Sequence, residues 1–557
     1  MKKNGISVLV VFLWFVGLSF GQVEEAQQAI ERGEYVRAVN ILSAALADRP
    51  TPETYLYLGV AYRHMKEYQK AEDIFNEGSR RYPNDPRFQN ELANLFLENN
   101  DIEAAKSALR RALEVDPNDN SASDQLATID MSEGDTQAAL RAWNKSGRPY
   151  INDILHNYNL TFGSWVVRRA LAFHPASTLR YSQWKTTEAR LYESDIFANV
   201  GLEIEPTRVP DQYNAVVRTN AKTNTLPDIL FDLVKWAPLE TTSLDLWDIG
   251  KSGINFTNYY RWEADRRRTQ NRLKIPLPIT SLVYLEFGNT WRSERWNVSN
   301  NLAPASQSQA RFDFNANSLD VRVKHIPHYR VELAAGFEYR NRSTKGELPN
   351  LYDSLNIGKL TVETSLRLVD RKYQNRLRIE AFAARRALLS DLQFTGGVAE
   401  LNNRVTVSKD SRMYFDWSVT GGTARGQLPV DDYFLLGVDT TTKYLLRGHT
   451  AAHHGHYGSG PMGTDFVLLN TDIDRGLKTI PFFNNFGIPF INVKSEFFFD
   501  AAKTWDRNHI FLPSKLLLDT GAELRFETPM NSFNLLYGKS LRTGNNVFTV
   551  YYERRLW

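Results

Sequence analysis

From about residue 225 to Trp557 the sequence alternates, apolar against polar, in one stretch after another. Leu319–Ile326 reads LDVRVKHI, and Arg330–Tyr339, Leu360–Leu368, Arg376–Ala383 and Met413–Val419 keep the same period of two. That period places successive side chains on opposite faces of a strand. A soluble sandwich with one wet face can alternate in this way, and so can a membrane barrel. Here the strands are long, and about 330 residues at roughly 20 per strand and turn predict about 16 strands. A mean hydropathy of -0.42 excludes a polytopic helical membrane protein, which needs repeated apolar runs of about 20 residues. It does not exclude a barrel, whose strands average out as polar. The 12 Trp, 25 Tyr and 31 Phe suit interfacial girdles, although a large soluble core would use them too.

The start of the chain supports the barrel. Lys2 and Lys3 precede an apolar run, Ile6 to Phe20, that closes on Ser19-Phe20-Gly21. This is the pattern of a cleaved export signal over residues 1–21. An uncleaved anchor is disfavoured because the run is short and Gln22, Glu24 and Glu25 follow it. The chain has no cysteine, which excludes disulfides, thiolate metal sites and a lipid anchor through Cys. A net charge of +3 gives no reason to expect nucleic acid.

Residues 22–147 read as helix with an internal repeat. Gly59, Tyr62, Ala71, Phe75, Gly78 and Pro83 are echoed about 34 residues later by Ala93, Phe96, Ala105, Leu109, Ala112 and Pro117. Ala38, Leu42, Ala45 and Pro50 come before, and Ala139 and Trp143 after. The pattern resembles the tetratricopeptide repeat. Small residues let paired helices approach, a large apolar residue fills the gap to the next repeat, and proline ends the second helix. A generic amphipathic bundle is the plainer alternative.

Residues 148–163 are expected to be a connector, and 164–223 a small α/β unit. Ser164–Phe173 is a strand candidate, Ser177–Ser194 a helix, and Gly201–Glu205 and Tyr213–Thr219 further strands. Leu191, Phe197 and Val200 fit the pattern of a POTRA domain, which this unit resembles; the glycine usual near Asp195 is missing. An unrelated linker domain is the alternative.

The last third, within 224–557, carries the most specific resemblance. YFLLGVDTTTKYLLRGH (433–449), LNTDIDR (469–475), EFFFDAA (496–502) and DTGAELRFETP (519–529) follow one another in that order. Together they resemble the BamA/TamA superfamily of POTRA-plus-barrel outer-membrane proteins. The resemblance implies that Leu446, Arg447, Gly448 and His449 form the tip of a long loop folded into the lumen. Arg447 would then reach Asp500 or a neighbouring acid. Two departures stand out: His449 replaces the usual aromatic, and Ala502 the usual glycine. An arginine in an external hairpin is the simpler reading. Tyr551 and the terminal Trp557 are expected to form a closing signal, with Val547 and Tyr551 on the face of Trp557. The Gly421-Gly422 pair reads as a strand bend or turn.

His449, His453, His454 and His456 cluster in a glycine-rich segment, but a solvated loop explains them better than a metal site. Neither a phosphate-binding loop nor a nucleophile elbow is present, so no enzyme and no cofactor are expected. The resemblance implies an outer-membrane factor that inserts or secretes client proteins, with the repeats and the POTRA-like unit in the periplasm. Its partners would be outer-membrane lipid, unfolded or secreted clients, and a periplasmic protein in the repeat groove. A repeat-scaffolded porin for polysaccharide export and a passive surface receptor are the competing readings.

Overall fold

The computed structural model describes residues 21–554 apart from 157–163, 210–211, 223, 235–239, 280, 300–308, 347–353, 370–372, 409–411, 440–442, 454–455, 482–489, 512 and 528–530. The expected signal segment up to Phe20, His454 and Trp557 lie outside the described residues. The chain divides into two compact units: Met1–Leu155 with Phe173–Tyr181 and Glu203–Val216, and His156–Ala172 with Ser182–Leu202 and Val217–Trp557.

The first unit is a run of paired helices: α1 (residues 21–31), α2 (Tyr35–Asp48), α3 (Pro52–His64), α4 (Tyr68–Arg81), α5 (Arg87–Glu98), α6 (Ile102–Val115), α7 (Asn120–Ser132) and α8 (Thr136–Trp143). Side chains of Thr51, Asp101, Asp119 and Asp135 accept backbone N–H groups at the starts of α3, α6, α7 and α8. Ala71, Phe75, Ala105 and Ala112 are fully buried, and Tyr62 is half-buried against the same core. Phe75 lies so close to Gly59 that a Cβ there would stand 2.3 Å from its ring. Pro83 and Pro117 follow the non-helical residues Tyr82 and Asp116 that close α4 and α6. Trp143 packs on Tyr213 at 5.0 Å between ring centroids and closes the last repeat.

After the repeats the chain forms a four-stranded sheet, order β2-β1-β4-β3. Its strands are β1 (Tyr150–His156), β2 (Ser177–Thr178), β3 (Phe197–Pro206) and β4 (Gln212–Ala221). The stretch read as a connector therefore carries β1. Ser164–Phe173 is not a strand: Ser164–Ala170 forms helix α9. The reason is visible in its burial, since Val166, Val167, Ala170 and Phe173 are buried at helical, not alternating, spacing. The following helix is shorter than expected, α10 (Tyr181–Glu193).

In the second unit α10 seats on the turn at Ile326–Arg330. Arg190 donates to the Ile326 carbonyl at 2.9 Å, and the Tyr329 N–H donates to Thr186 at 3.0 Å. The Lys274 ammonium reaches Glu193 and Asp195 at 2.8 Å each. Helix α11 (Leu226–Val234) precedes the first long strand, where only strands were expected.

The rest is one large, mainly antiparallel sheet of seventeen described strands, fifteen of which curl into a barrel-like wall. It begins with β5 (Thr241–Ile249), β6 (Ile254–Glu263), β7 (Arg266–Leu277), β8 (Val283–Ser299), β9 (Gln309–His328), β10 (Val331–Gly346), β11 (Ser354–Val369), β12 (Tyr373–Ala384), β13 (Phe394–Ser408) and β14 (Met413–Gly426). Short pieces follow in a long insertion: β15 (Phe434–Leu435), β16 (Ala452–His453), β17 (His456–Tyr457) and β18 (Met462–Gly463). The wall resumes with β19 (Asp465–Pro481), β20 (Phe490–Trp505), β21 (Leu517–Glu527), β22 (Asn531–Ser540) and β23 (Asn546–Arg554). Strand β14 pairs directly with β19, from Met413↔Arg475 to Thr423↔Asp465. Gly421 and Gly422 sit inside that regular ladder, not at a bend. The gap at Gly422 makes room for the Phe466 ring, which a Cβ would approach to 2.4 Å.

The wall inverts the usual polarity of a soluble sheet over part of its height. On β9, Leu319, Val321 and Val323 are exposed while Lys324 is buried. Nearer the start of the same strand Ala310, Phe312, Phe314 and Ala316 are buried and the intervening polar residues are exposed. Strand β20 repeats the inverted pattern, with Phe497 and Phe499 outside and Glu496, Phe498 and Asp500 inside. On β23 Val547 and Tyr551 share the buried face, where Tyr551 donates to Glu523 at 2.9 Å, while Phe548 is exposed. Among the described residues no helix is long and apolar enough to cross a membrane.

Candidate functional site: the tongue inside the wall

Residues 427–464, between β14 and β19, form a tongue and not an external hairpin. Its neck is closed by β15 and β18 (Phe434↔Gly463, Leu435↔Met462) and by parallel bridges Leu436↔Tyr444 and Val438↔Thr450. Leu428, Val430, Phe434, Leu436 and Leu446 are buried in one core with Trp296, Phe312, Phe314, Phe394 and Phe466 of the wall. Burial of each such side chain contributes on the order of 1.5–3 kcal/mol, which holds the tongue in place before any charge is counted.

The tip is fixed by ions. The Arg447 guanidinium meets Asp500 at 2.6 Å, Glu496 at 2.6 Å and Asp472 at 2.5 Å. Its backbone N–H donates to the same Asp500 at 2.9 Å, and its Cζ lies 4.0 Å from the centroid of the Phe498 ring. A second support for Asp500 comes from Asn470, which donates to it at 2.8 Å and to the Leu445 carbonyl at 2.9 Å. Burial works against the charge of Arg447, but Asp500, Asp472 and Glu496 more than offset it and hold its pKa above the ordinary arginine value. A buried ion costs several kcal/mol unless matched in this way.

Gly448 and His449 bind the next strand. The Gly448 N–H donates to Asp519 at 2.6 Å, and His449 Nδ1 lies 2.9 Å from the same carboxylate. A Cβ on Gly448 would stand 2.4 Å from Asp519 Cγ, so only glycine allows this approach. His449, where an aromatic was expected, thus shares a carboxylate with the glycine beside it. Ala502, in place of glycine, is buried against the core.

Sequence reading missed two further staples. Arg340 contacts Asp431 and lies 2.6 Å from Asp432; Arg342 meets Asp431 at 3.1 Å and Lys359 meets Asp432 at 3.0 Å. Asp439 is held by Arg266 at 3.0 Å and Arg261 at 3.4 Å. The tongue is therefore tied to β6, β7, β10, β11, β19, β20 and β21. The available hint was the pair Asp431-Asp432, together with Arg340 and Arg342 two apart on an alternating strand. Burial alone would raise the Asp432 carboxyl, but Arg340 and Lys359 hold it well below the usual carboxylate range.

A cavity of about 340 Å³ remains between tongue and wall, lined by Arg378, Glu380, Glu400, Lys443, Tyr444 and Arg447 among others. Among the described residues no group of three His, Cys, Asp or Glu could hold a metal ion, and His453 simply pairs with His456 across β16 and β17.

Fold and site define a class: a sheet of barrel type with an ion-stapled tongue inside it, carried behind helical repeats. A model of YpiA-like C-terminal tetratricopeptide repeats matches residues 52–119, and a tetratricopeptide repeat model matches residues 90–149. No curated protein matches the chain. Among solved structures, CdiB from Escherichia coli is similar with a TM-score of 0.51 at 11% identity, over 77% of this chain and 86% of that one. BamA from Haemophilus ducreyi lacking POTRA domains 1–3 is similar with a TM-score of 0.42 at 11% identity, over 72% of this chain and 85% of that one. The likeness to CdiB is one of fold.

Proposed function

We propose that this chain is a non-enzymatic outer-membrane barrel that inserts or secretes client proteins, with its repeats in the periplasm. The observation that carries this reading is the tongue. A transport pore for a polysaccharide needs an open lumen, whereas here Arg447, Asp432 and Asp439 tie a folded segment across it. The inverted polarity of β9 and β20 supports lipid around the wall. We read the sheet as closing between β23 and β5, and that closure as the place where a client strand could pair.

The order strand, helix, short strand, helix, strand, strand from β1 to β4 supports a POTRA-like module, beginning at Tyr150 and not at Ser164. Its strands would pass extended clients to the wall by β-augmentation. The paired helices of the repeat arm would hold a client or a periplasmic partner in their groove.

Depletion of the protein, followed by quantification of other outer-membrane barrels and of secreted proteins, tests this. Loss of one of these groups is the expected result; no change in either overturns the reading. Single-channel recording separates the porin alternative, since a large, steady open conductance in the intact chain would favour it.

A further inference from the structure

Helix α11 exposes a stripe of leucines that no part of the described fold covers. Leu226, Leu230 and Leu233 are 74%, 59% and 40% exposed, at spacings of four and three that align them on one helix face. The stripe is held still. Before the helix, the Asn224 side chain donates to the Trp247 carbonyl at 2.5 Å and accepts the Trp247 N–H at 2.9 Å. At its far end the Thr242 hydroxyl donates to the Leu233 carbonyl at 2.6 Å. The helix therefore runs antiparallel along β5.

It lies on the outward face of that strand. Thr241, Ser243 and Asp245 are buried and polar, as an inner face requires. Thr242, Leu244 and Leu246 alternate with them and are half-buried. On β6 the outward neighbours in register are Phe256 opposite Leu246 and Tyr260 opposite Thr242. The leucine stripe thus continues the apolar outer belt of the wall. Lys222 stands 3.8 Å over the Trp247 ring at one end of the helix. Tryptophan and lysine together are the side chains favoured at a lipid headgroup boundary.

We infer that α11 is a lipid-binding helix whose leucine face enters the bilayer beside the first wall strand. The occupant is phospholipid, because the surface that the stripe extends is the lipid-facing one; this rests on the barrel reading above. The helix anchors the start of the wall in the leaflet and shields the outer face of β5.

The chain has no cysteine, so single labels can be placed at will. Leu230→Cys and Phe548→Cys would each carry a bimane, in the full chain reconstituted into phosphatidylcholine–phosphatidylglycerol nanodiscs with or without brominated acyl chains. Phe548 is 75% exposed on β23 and reports on the wall itself. Brominated lipid is expected to remove most of the emission at both positions, and aqueous iodide little. Quenching at Phe548 alone, with iodide quenching at Leu230, overturns the helix inference and leaves the barrel standing. Quenching at Leu230 by neither agent means that protein covers the stripe, and overturns it too. Absence of lipid quenching at both positions removes the barrel reading and the inference with it. The same label at Leu226→Cys repeats the measurement should Leu230→Cys disturb folding.

Discussion

Asp500 accepts hydrogen bonds from both the backbone and the side chain of Arg447, at 2.9 Å and 2.6 Å, so one carboxylate fixes both the position of the tongue and the direction of its guanidinium. Replacing Arg447 by Ala leaves the buried Glu496 and Asp500 and the half-buried Asp472 without their shared cation. Breaking a buried pair on one side costs about 3–5 kcal/mol. Arg447→Ala is expected to reach the membrane but to lose its heat-modifiable gel shift at a lower temperature than the parent. Arg447→Lys should lie between, because an ammonium lacks the bidentate fork. Unchanged heat-modifiability and full complementation would count against any role for the pair.

The approach of Gly448 to Asp519 makes a separate prediction. Gly448→Val places carbon where the Asp519 carboxylate now stands, and the tip must lift. Trypsin should then cut at Lys443 or Arg447 in folded protein, while the parent stays intact. Protection equal to the parent would show that the tip tolerates the side chain.

At the base of the tongue, acid should act late. Asp432 has its folded pKa depressed, so its contribution is present above the unfolded value near 3.8 and is lost only as pH falls through the lower folded value. Conductance of reconstituted protein is therefore expected to stay low at pH 5 and to rise only in strong acid. The double variant Asp431→Asn, Asp432→Asn should raise it already at neutral pH. A parent that opens near pH 6 would contradict this.

Phe75 fills the space beside Gly59 in the repeat arm. Phe75→Ala should cost about 3–5 kcal/mol of local stability. Circular dichroism of the full chain in detergent would show the helical signal melting earlier while the β signal keeps its transition. A single shared shift of both would mean that the two units unfold together.

Lys274 is buried between Glu193 and Asp195. Lys274→Met removes the cation that bridges the two. Hydrogen exchange is expected to rise across residues 186–195, with β7 itself still protected. Unaltered exchange there would show that Arg190, Thr186 and the Lys324–Glu193 pair at 3.0 Å suffice to seat α10.

The repeat arm was legible because each repeat is local: Ala71, Phe75, Ala105 and Ala112 fall at the buried spacing of one helix pair, and their partners lie within one period. The alternating strands were legible for a similar reason, since period two needs only neighbours in sequence. Reading went astray where periodicity is short. Ser164–Ala170 carries valines suited to a strand but buries them at helical spacing, and α11 was lost between β4 and the wall. Parity put Val547 and Tyr551 on one face but did not say on which side of the wall, because nothing local distinguishes the inner side from the outer.

From its sequence alone the chain determined a helical repeat arm, a long run of alternating strands, and an Arg-Gly motif ahead of an acidic strand. Which acids meet Arg447, that Asp431, Asp432 and Asp439 share in holding the tongue, and that α11 lies outside β5 were decided only by tertiary structure. The physical reason is separation along the chain. Arg340 and Asp432 or Arg266 and Asp439 become neighbours only when the sheet curves and brings its far strands around one interior.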